Sequence, residues 1–423
     1  MQFTYYNYSN FAPQNTKVMS RLRSSSSLNL SLKITIASYV LFTFFGYLCI
    51  GLPLAVLPIF ITKHLGYSTM MAGIVISLQY VTTFLTRGWS GTLIDKHGPR
   101  LSVYISMGCL TLSGVLLYIT HLTGSHAFLS LVILIIARLI TGCGEGFIGA
   151  SPITWAMLVA GEKQTATVIS YNGIASYGGI ALGATLGVFL NQHINLGAIG
   201  LLTIALGVIG YLLATKKPNI IAPVSDQTQK DPISFMTVLI KVAPYGICLM
   251  LAGLGFGTIS NFITLYYDHF HWDHAALCLS VFSFLFIIGR MFFSNAINDY
   301  GGIRVAMACL ACETIGLLIL ALFPQPVFAL IGAAVTGFGF SLMFPSLGVE
   351  AVKLFTSDRS GAALAAYGLF IDISLGITGP LIGGLIESFG IEYMFGFTTV
   401  IVFAGFVCCS TLNRKMVRKL ATR

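Results

Sequence analysis

Ala127-Phe-Leu-Ser-Leu-Val-Ile-Leu-Ile-Ile-Ala-Arg138-Leu-Ile-Thr-Gly-Cys-Gly-Glu145-Gly-Phe-Ile-Gly-Ala150 decides the fold class. A bilayer is crossed by about 20 mostly apolar residues rising 1.5 Å each, and this run exceeds that length with one cation and one carboxylate. Working outward, eleven further stretches of the same kind fill the chain. The twelve run over approximately 34–62, 69–93, 101–120, 127–159, 164–190, 196–214, 242–267, 275–297, 303–323, 327–352, 361–386 and 392–412. Lipid offers the backbone no hydrogen bonds, so each stretch must be helical. The expectation is an all-α membrane protein with twelve transmembrane helices.

Composition agrees. Hydrophobic residues make up 56% of the 423, charged residues 9%, and the mean hydropathy is +0.86, too little polar surface to cover soluble domains. The 45 glycines suit helices that pack closely in lipid, and the glycine runs of spans 5 and 11 would let those helices approach and kink. All nine cysteines lie in apolar stretches and read as small buried hydrophobes, not as disulfides or metal ligands.

The formal net charge of +9 is distributed as a topology signal. Of the Lys and Arg outside the spans, nineteen fall on the side that carries both termini and the even-numbered loops, and only Lys63 falls on the other. Such asymmetry places both termini in the cytoplasm, and the basic residues against anionic lipid headgroups rather than nucleic acid. Residues 1–31 have no apolar core or cleavage site and read as a disordered cytoplasmic tail, with Met19 as a second candidate start.

The chain repeats itself. Phe60-Ile-Thr62 returns as Phe262-Ile-Thr264, and Thr141-Gly-Cys-Gly144 as Thr336-Gly-Phe-Gly339. Gly183-Ala-Thr-Leu-Gly187 returns as Gly379-Pro-Leu-Ile-Gly383, and the loop Gly91 to Arg100, with Asp95 and Gly98, returns as Asn295 to Arg304, with Asp299 and Gly302. Two pseudo-symmetric six-helix bundles follow, at 32–214 and 235–412, joined by a polar cytoplasmic linker at 215–234 and ending in a basic cytoplasmic tail at 413–423. Such halves suit a rocking carrier whose site lies near mid-membrane.

These residues resemble a family. Gly91, Leu93, Asp95, Gly98 and Arg100 match the loop 2–3 signature of the major facilitator superfamily, with Pro99 where a basic residue is usual. Arg138-Leu-Ile-Thr-Gly142 resembles its span-4 arginine signature, and Gly179-x-x-x-Gly183-Ala184-x-x-Gly187 its antiporter signature, with Ala184 in place of the usual proline. Gly51 to Pro58, Gly73 to Tyr80, Phe262 to Asp268, Gly361 to Tyr367 and Asp372 to Pro380 look like the YhhS/YfcJ-like group of bacterial facilitators. The resemblance implies the major facilitator fold in a bacterial inner membrane. It also implies a proton-coupled exporter of small organic molecules, drug-like or metallophore-like.

Charges at membrane depth cost about 2.5–3.5 kcal/mol on insertion scales and so mark function or a partner. Asp372, Glu145 and Arg138 are the expected proton-coupling residues, since a carboxyl kept from water can load and release a proton near neutral pH. Arg138 and Glu145 stand seven residues apart, on nearly one helix face but about 10 Å apart, too far for direct contact, though a water or substrate group could bridge them. Glu313, on span 9, is expected to serve helix packing. Gln79, Tyr80, Trp155, Tyr171, Asn172, Asn261 and Tyr367 are the candidate substrate-binding residues, against the blander reading of interface anchors. Gly91, Asp95, Gly98 and Arg100 are expected to gate, with Asp95 near a helix N-terminus and Arg87 and Arg290 as its partners.

Two signals are discounted. Gly144-Glu-Gly-Phe-Ile-Gly149 spells a dinucleotide fingerprint but follows no strand. His269-Phe-His-Trp-Asp-His274 has metal-ligand residue types, yet reads as a solvated loop. No cofactor, no metal and no enzymatic arrangement is expected. The partners are a small-molecule substrate, protons and the lipid bilayer, with no nucleic acid and a monomeric state. The alternatives are a proton-coupled uptake symporter for a sugar or organic acid, and a non-transporting membrane sensor.

Overall fold

The computed structural model describes residues 30–161, 164–221, 235–355 and 360–421. The expected tail up to residue 29, with Met19, most of the linker at 222–234, and Lys163 and Arg359 lie outside the described residues. Twelve helices are long and apolar enough to cross a membrane. Spans 1 to 6 are Leu30–Gly51, Thr69–His97, Pro99–Leu122, Ala127–Ala160, Thr167–His193 and Leu196–Thr215. Spans 7 to 12 are Met236–His269, Ala275–Phe293, Gly302–Leu322, Pro326–Val352, Ala363–Phe389 and Ile391–Met416. The last helix continues to Ala421, so Arg414, Lys415, Arg418 and Lys419, expected in a tail from 413, stand on helix.

Each half packs by the same plan. Span 1 lies against span 5 and span 7 against span 11, while span 3 contacts spans 4 and 6 as span 9 contacts spans 10 and 12. The halves meet along two seams, span 2 against span 11 and span 5 against span 8. In the first seam the backbones of Gly73 and Gly379 touch, and a Cβ on either would collide with the other's carbonyl. Thr69 Oγ1 donates to the Gly383 carbonyl at 2.9 Å in the same seam.

The glycine runs lie within continuous helices in spans 5 and 11, and span 11 carries Pro380 in its interior. The breaks fall elsewhere, and symmetrically. Span 4 divides into Ala127–Ile148 and Ser151–Ala160, and span 10 into Pro326–Phe340 and Met343–Val352. Pro152 and Pro345 follow the two breaks; each lacks an N–H and sits in the first turn of the new helix, where none is needed. Span 1 stops at Gly51 and resumes as Leu57–Ile59 and a π-turn, Phe60–His64.

The repeated loop has a conformational core. Gly98 closes span 2 at φ 82 and Gly301 closes the helix after span 8 at φ 86, values that side chains rarely tolerate. The residue equivalent to Gly98 is therefore Gly301, not Gly302.

One end of the molecule is shut. At the end carrying the odd-numbered loops, Lys63 Nζ lies 2.8 Å from Asp268 Oδ2 across the halves. Just beneath, Thr264 Oγ1 donates to the Ala55 carbonyl at 2.6 Å. These two links and the one at Thr69 all lie between that end and the Arg87–Asp372 pair described below.

Candidate functional site

Spans 2 and 4 bring the expected charges together through close backbone contact. Gly142 lies directly against the Gln79 carbonyl, and Thr82 Oγ1 donates to the Leu139 carbonyl at 2.8 Å. That approach places Gln79 between Arg138 and Glu145. Its Oε1 accepts from Arg138 Nη2, and its Nε2 donates to Glu145 Oε2 at 2.6 Å. Thr83, one turn on from Gln79, donates to the same Glu145 oxygen at 3.0 Å. The expected water or substrate bridge between Arg138 and Glu145 is thus a protein side chain. All four residues are buried, so the array exchanges protons or partners only when the surrounding helices move.

Asp372 lies on the other half and finds its partner across the seam. Arg87 Nη2 is 2.8 Å from Asp372 Oδ2. Arg87 was expected at a gate beside Asp95. It reaches instead to Asp372, because span 2 packs along span 11, and the notional side-chain position of Gly368 is 3.5 Å from its guanidinium. Arg87 also approaches Gly149, at the break in span 4, where the Tyr47 hydroxyl converges from span 1. Asp372 forms part of a groove of about 460 Å³ between spans 2 and 11, otherwise lined by Ser77, Tyr80 and apolar side chains.

The other expected site residues scatter. Tyr80 stands beside Gly376 on the span 2–11 seam, on the same groove as Asp372. Asn172 accepts from Thr43 Oγ1 at 2.6 Å, tying span 5 to span 1, and the half-buried Tyr171 packs in the same half. Asn261 is buried with its Oδ1 unpartnered. Tyr367 is buried and donates to the Phe344 carbonyl at 3.1 Å. Trp155 does not join the charged array: it stacks on Phe42 at 5.8 Å and donates to the Pro218 carbonyl at 3.0 Å, fastening the start of the linker.

The expected gate residues separate as well. Arg100 Nη2 donates to the Thr215 carbonyl at 3.0 Å and its Nε to Tyr104 at 2.6 Å, so it braces one half internally. Asn219 packs on Gly98 and donates to the His97 carbonyl at 2.9 Å. Gly91 and Asp95 are exposed, and Asp95 forms no ion pair among the described residues. Arg290 lies on the span 5–8 seam against Gly173, with its guanidinium 5.5 Å from the Tyr177 ring centre. Glu313 is fully buried, and neither of its carboxyl oxygens has a hydrogen-bond partner. In the histidine-bearing loop, His269 Nε2 meets Glu392 Oε1 at 2.9 Å, and no group of three metal-ligating residues forms among the described residues.

Tyr47, Thr83 and Tyr177 were missed from sequence. Thr83 was legible, being four residues from Gln79 and so on the same face. Tyr47 and Tyr177 sit among many aromatic residues, and nothing in spacing distinguishes them.

Comparison with known proteins supports the architecture from two directions. An uncharacterised MFS-type transporter of Pseudomonas aeruginosa (strain UCBPP-PA14) is 45% identical over 396 residues, covering 94% of this chain and 97% of its own. One of Burkholderia pseudomallei (strain 1106a) is 44% identical over 385 residues, covering 91% and 93%. The fold is shared with the human organic anion transporter MFSD10 (TETRAN), at a TM-score of 0.67 and 12% identity over 89% of this chain and 99% of that one. It is shared too with the nucleoside transporter NupG, at 0.65 and 18% over 88% and 98%. The model of the Major Facilitator Superfamily matches residues 39–295 and 245–420, which together reach from span 1 into the last helix. With two repeats, twelve spans and full-length relatives in agreement, this chain is a multi-pass membrane transporter and belongs to the major facilitator superfamily.

Proposed function

We propose that this secondary transporter is a proton-coupled antiporter that exports small organic molecules by alternating access. The observation that carries the coupling is the Arg87–Asp372 pair, a carboxylate from one half held by a guanidinium from the other. While both are charged, the pair favours contact of spans 2 and 11. A proton on Asp372 removes the attraction and leaves the half-buried Arg87 in need of another acceptor, for which the Tyr47 hydroxyl, converging with it on Gly149, is at hand. Protonation and rocking are thereby linked. Gln79 keeps Arg138 and Glu145 in one array, so a change of partner at Glu145 is felt by both spans.

Drug-like or metallophore-like cargo and the outward direction rest on the resemblance to the YhhS/YfcJ-like group. The lopsided distribution of Lys and Arg supports a bacterial inner-membrane protein with both termini in the cytoplasm. The shut end then faces out, and the substrate enters from the cytoplasm. Both seams and the charged array are complete within one chain, which supports a monomeric unit. Gly98, under Asn219, and Arg100, through the Thr215 carbonyl, hold the 2–3 turn and the start of the linker in place while the halves move.

The test uses proteoliposomes with a pH dye inside and an imposed gradient of candidate cargo. The antiporter reading expects protons to move against the cargo, and Asp372→Asn to abolish that flux. Protons moving with the cargo would make the protein a symporter, and no flux with any cargo would make it a sensor.

A further inference from the structure

The two seams are related by the repeat but differ in charge. An offset of 196 residues relates Gly183 to Gly379 and Tyr171 to Tyr367, and the same offset relates Ser176 to Asp372. Arg87 and Arg290 are the corresponding cations, at matching places on spans 2 and 8. In the span 2–11 seam Arg87 meets Asp372 and is neutralised. In the span 5–8 seam Arg290 meets Gly173 and Tyr177, and where the carboxylate would stand there is Ser176, whose hydroxyl is turned onto the Gly173 carbonyl at 3.3 Å.

Arg290 is 94% buried, with Nη1 enclosed and without a hydrogen-bond partner, and no carboxylate among the described residues lies within ion-pair distance. An arginine stays charged in any protein setting, and a charge taken out of water without a counterion is costly. A ring at 5.5 Å supplies only part of the compensation. The surroundings are aromatic: Tyr177 lies 5.6 Å from Phe286, 6.1 Å from Phe340 and 5.9 Å from Phe344, ring centre to ring centre. Tyr177 and Phe344 are only half-buried, so this face is reachable.

We propose that Arg290 binds the anionic group of the cargo, and that the cargo is an organic oxyanion, a carboxylate or phosphonate, with an aromatic or apolar body lying on Tyr177 and Phe344. The arginine fork pairs bidentately with such an oxyanion, and Gly173, where a side chain would collide with the guanidinium, lets the fork lie between the two spans. One seam therefore carries its own anion, and the other receives it from the substrate. The inference rests on the transporter reading above and names its substrate class.

The test is calorimetric binding to the purified full chain in detergent, with benzoate, salicylate, 4-phenylbutyrate and phenylphosphonate as probes and benzamide as the neutral control. At least one anion is expected to bind, benzamide not. Arg290→Gln is expected to weaken that binding at least tenfold, and Arg290→Lys less, because lysine keeps the charge but loses the fork. Ser176→Asp, which copies the other seam, supplies an internal carboxylate and is expected to weaken it comparably, whether or not Arg290→Gln folds. Equal binding of benzamide, binding unchanged in Ser176→Asp, or failure of all four anions overturns the proposal. Binding in detergent needs no gradient. Arg290-dependent binding without proton flux in liposomes would sink the coupling alone, and proton flux with binding indifferent to Ser176→Asp would sink this inference alone.

Discussion

Removing the Gln79 amide strands two charges at once, because Arg138 and Glu145 share it and neither is close enough to pair directly. Glu145 would keep Thr83, whereas Arg138 already has Nε and Nη1 without partners and would lose its remaining one. Gln79→Leu is therefore expected to cost about 2–3 kcal/mol, the range for hydrogen bonds to charged groups and stranded buried polar atoms. The check is the thermal unfolding midpoint of the detergent-solubilised protein, which should fall by several degrees. A midpoint equal to wild type would mean that the array is wet and the bridge dispensable. Trp155→Phe is a contrasting case. The ring keeps its stack on Phe42 and loses only the bond to the Pro218 carbonyl, so the expected cost is about 1 kcal/mol, together with faster protease cleavage after Lys216 or Lys217. How well each role could be read from sequence follows from distance along the chain. Gln79 and Thr83 are one turn apart, and Arg138, Gly142 and Glu145 recur at helical spacing, so each face was legible. The Arg87–Asp372 pair joins residues from opposite repeats, and no local pattern announces it.

Helices carry a different kind of information. Twelve apolar runs were legible because lipid leaves a spanning segment no alternative to helix, whatever its neighbours. The breaks in spans 4 and 10 leave only a local mark, Pro152 and Pro345, because the apolar run itself continues across Gly149–Ala150 and Ser341–Leu342. Small residues point to close contacts without naming the partner: Gly73 and Gly379 are both conspicuous, yet only the fold pairs them. Their contact gives a test at this scale. A valine at Gly73 would drive its Cβ into the Gly379 carbonyl, and since that atom belongs to helix backbone the two spans must part. Gly73→Val should hold the odd-loop end open. Labelling of a Thr264→Cys reporter, buried beneath that end, by a membrane-impermeant maleimide should then accelerate severalfold. Unchanged labelling would show that the seam does not control access.

At the scale of the molecule, the state seen here is set by small terms at one end. Lys63 and Asp268 bridge the halves in an exposed pair, their side chains 64% and 38% accessible, and such pairs are worth at most about 1 kcal/mol. That is small against folding but not against rocking, since 1.4 kcal/mol changes a two-state ratio about tenfold. Lys63→Glu replaces attraction with repulsion and should shift the population toward the form open at the odd-loop end. Lys63→Glu combined with Asp268→Lys restores opposite charges and should return it. The pair is screened by ions, so the difference between wild type and Lys63→Glu should shrink as ionic strength rises toward 1 M, where the screening length falls to about 3 Å. Distances between spin labels on the two halves at the odd-loop end report the populations directly. A double variant that stays open, or a salt-independent difference, would mean that the closed end is held by the Gly73–Gly379 and Thr264–Ala55 contacts alone, and that the surface charges are bystanders to the cycle.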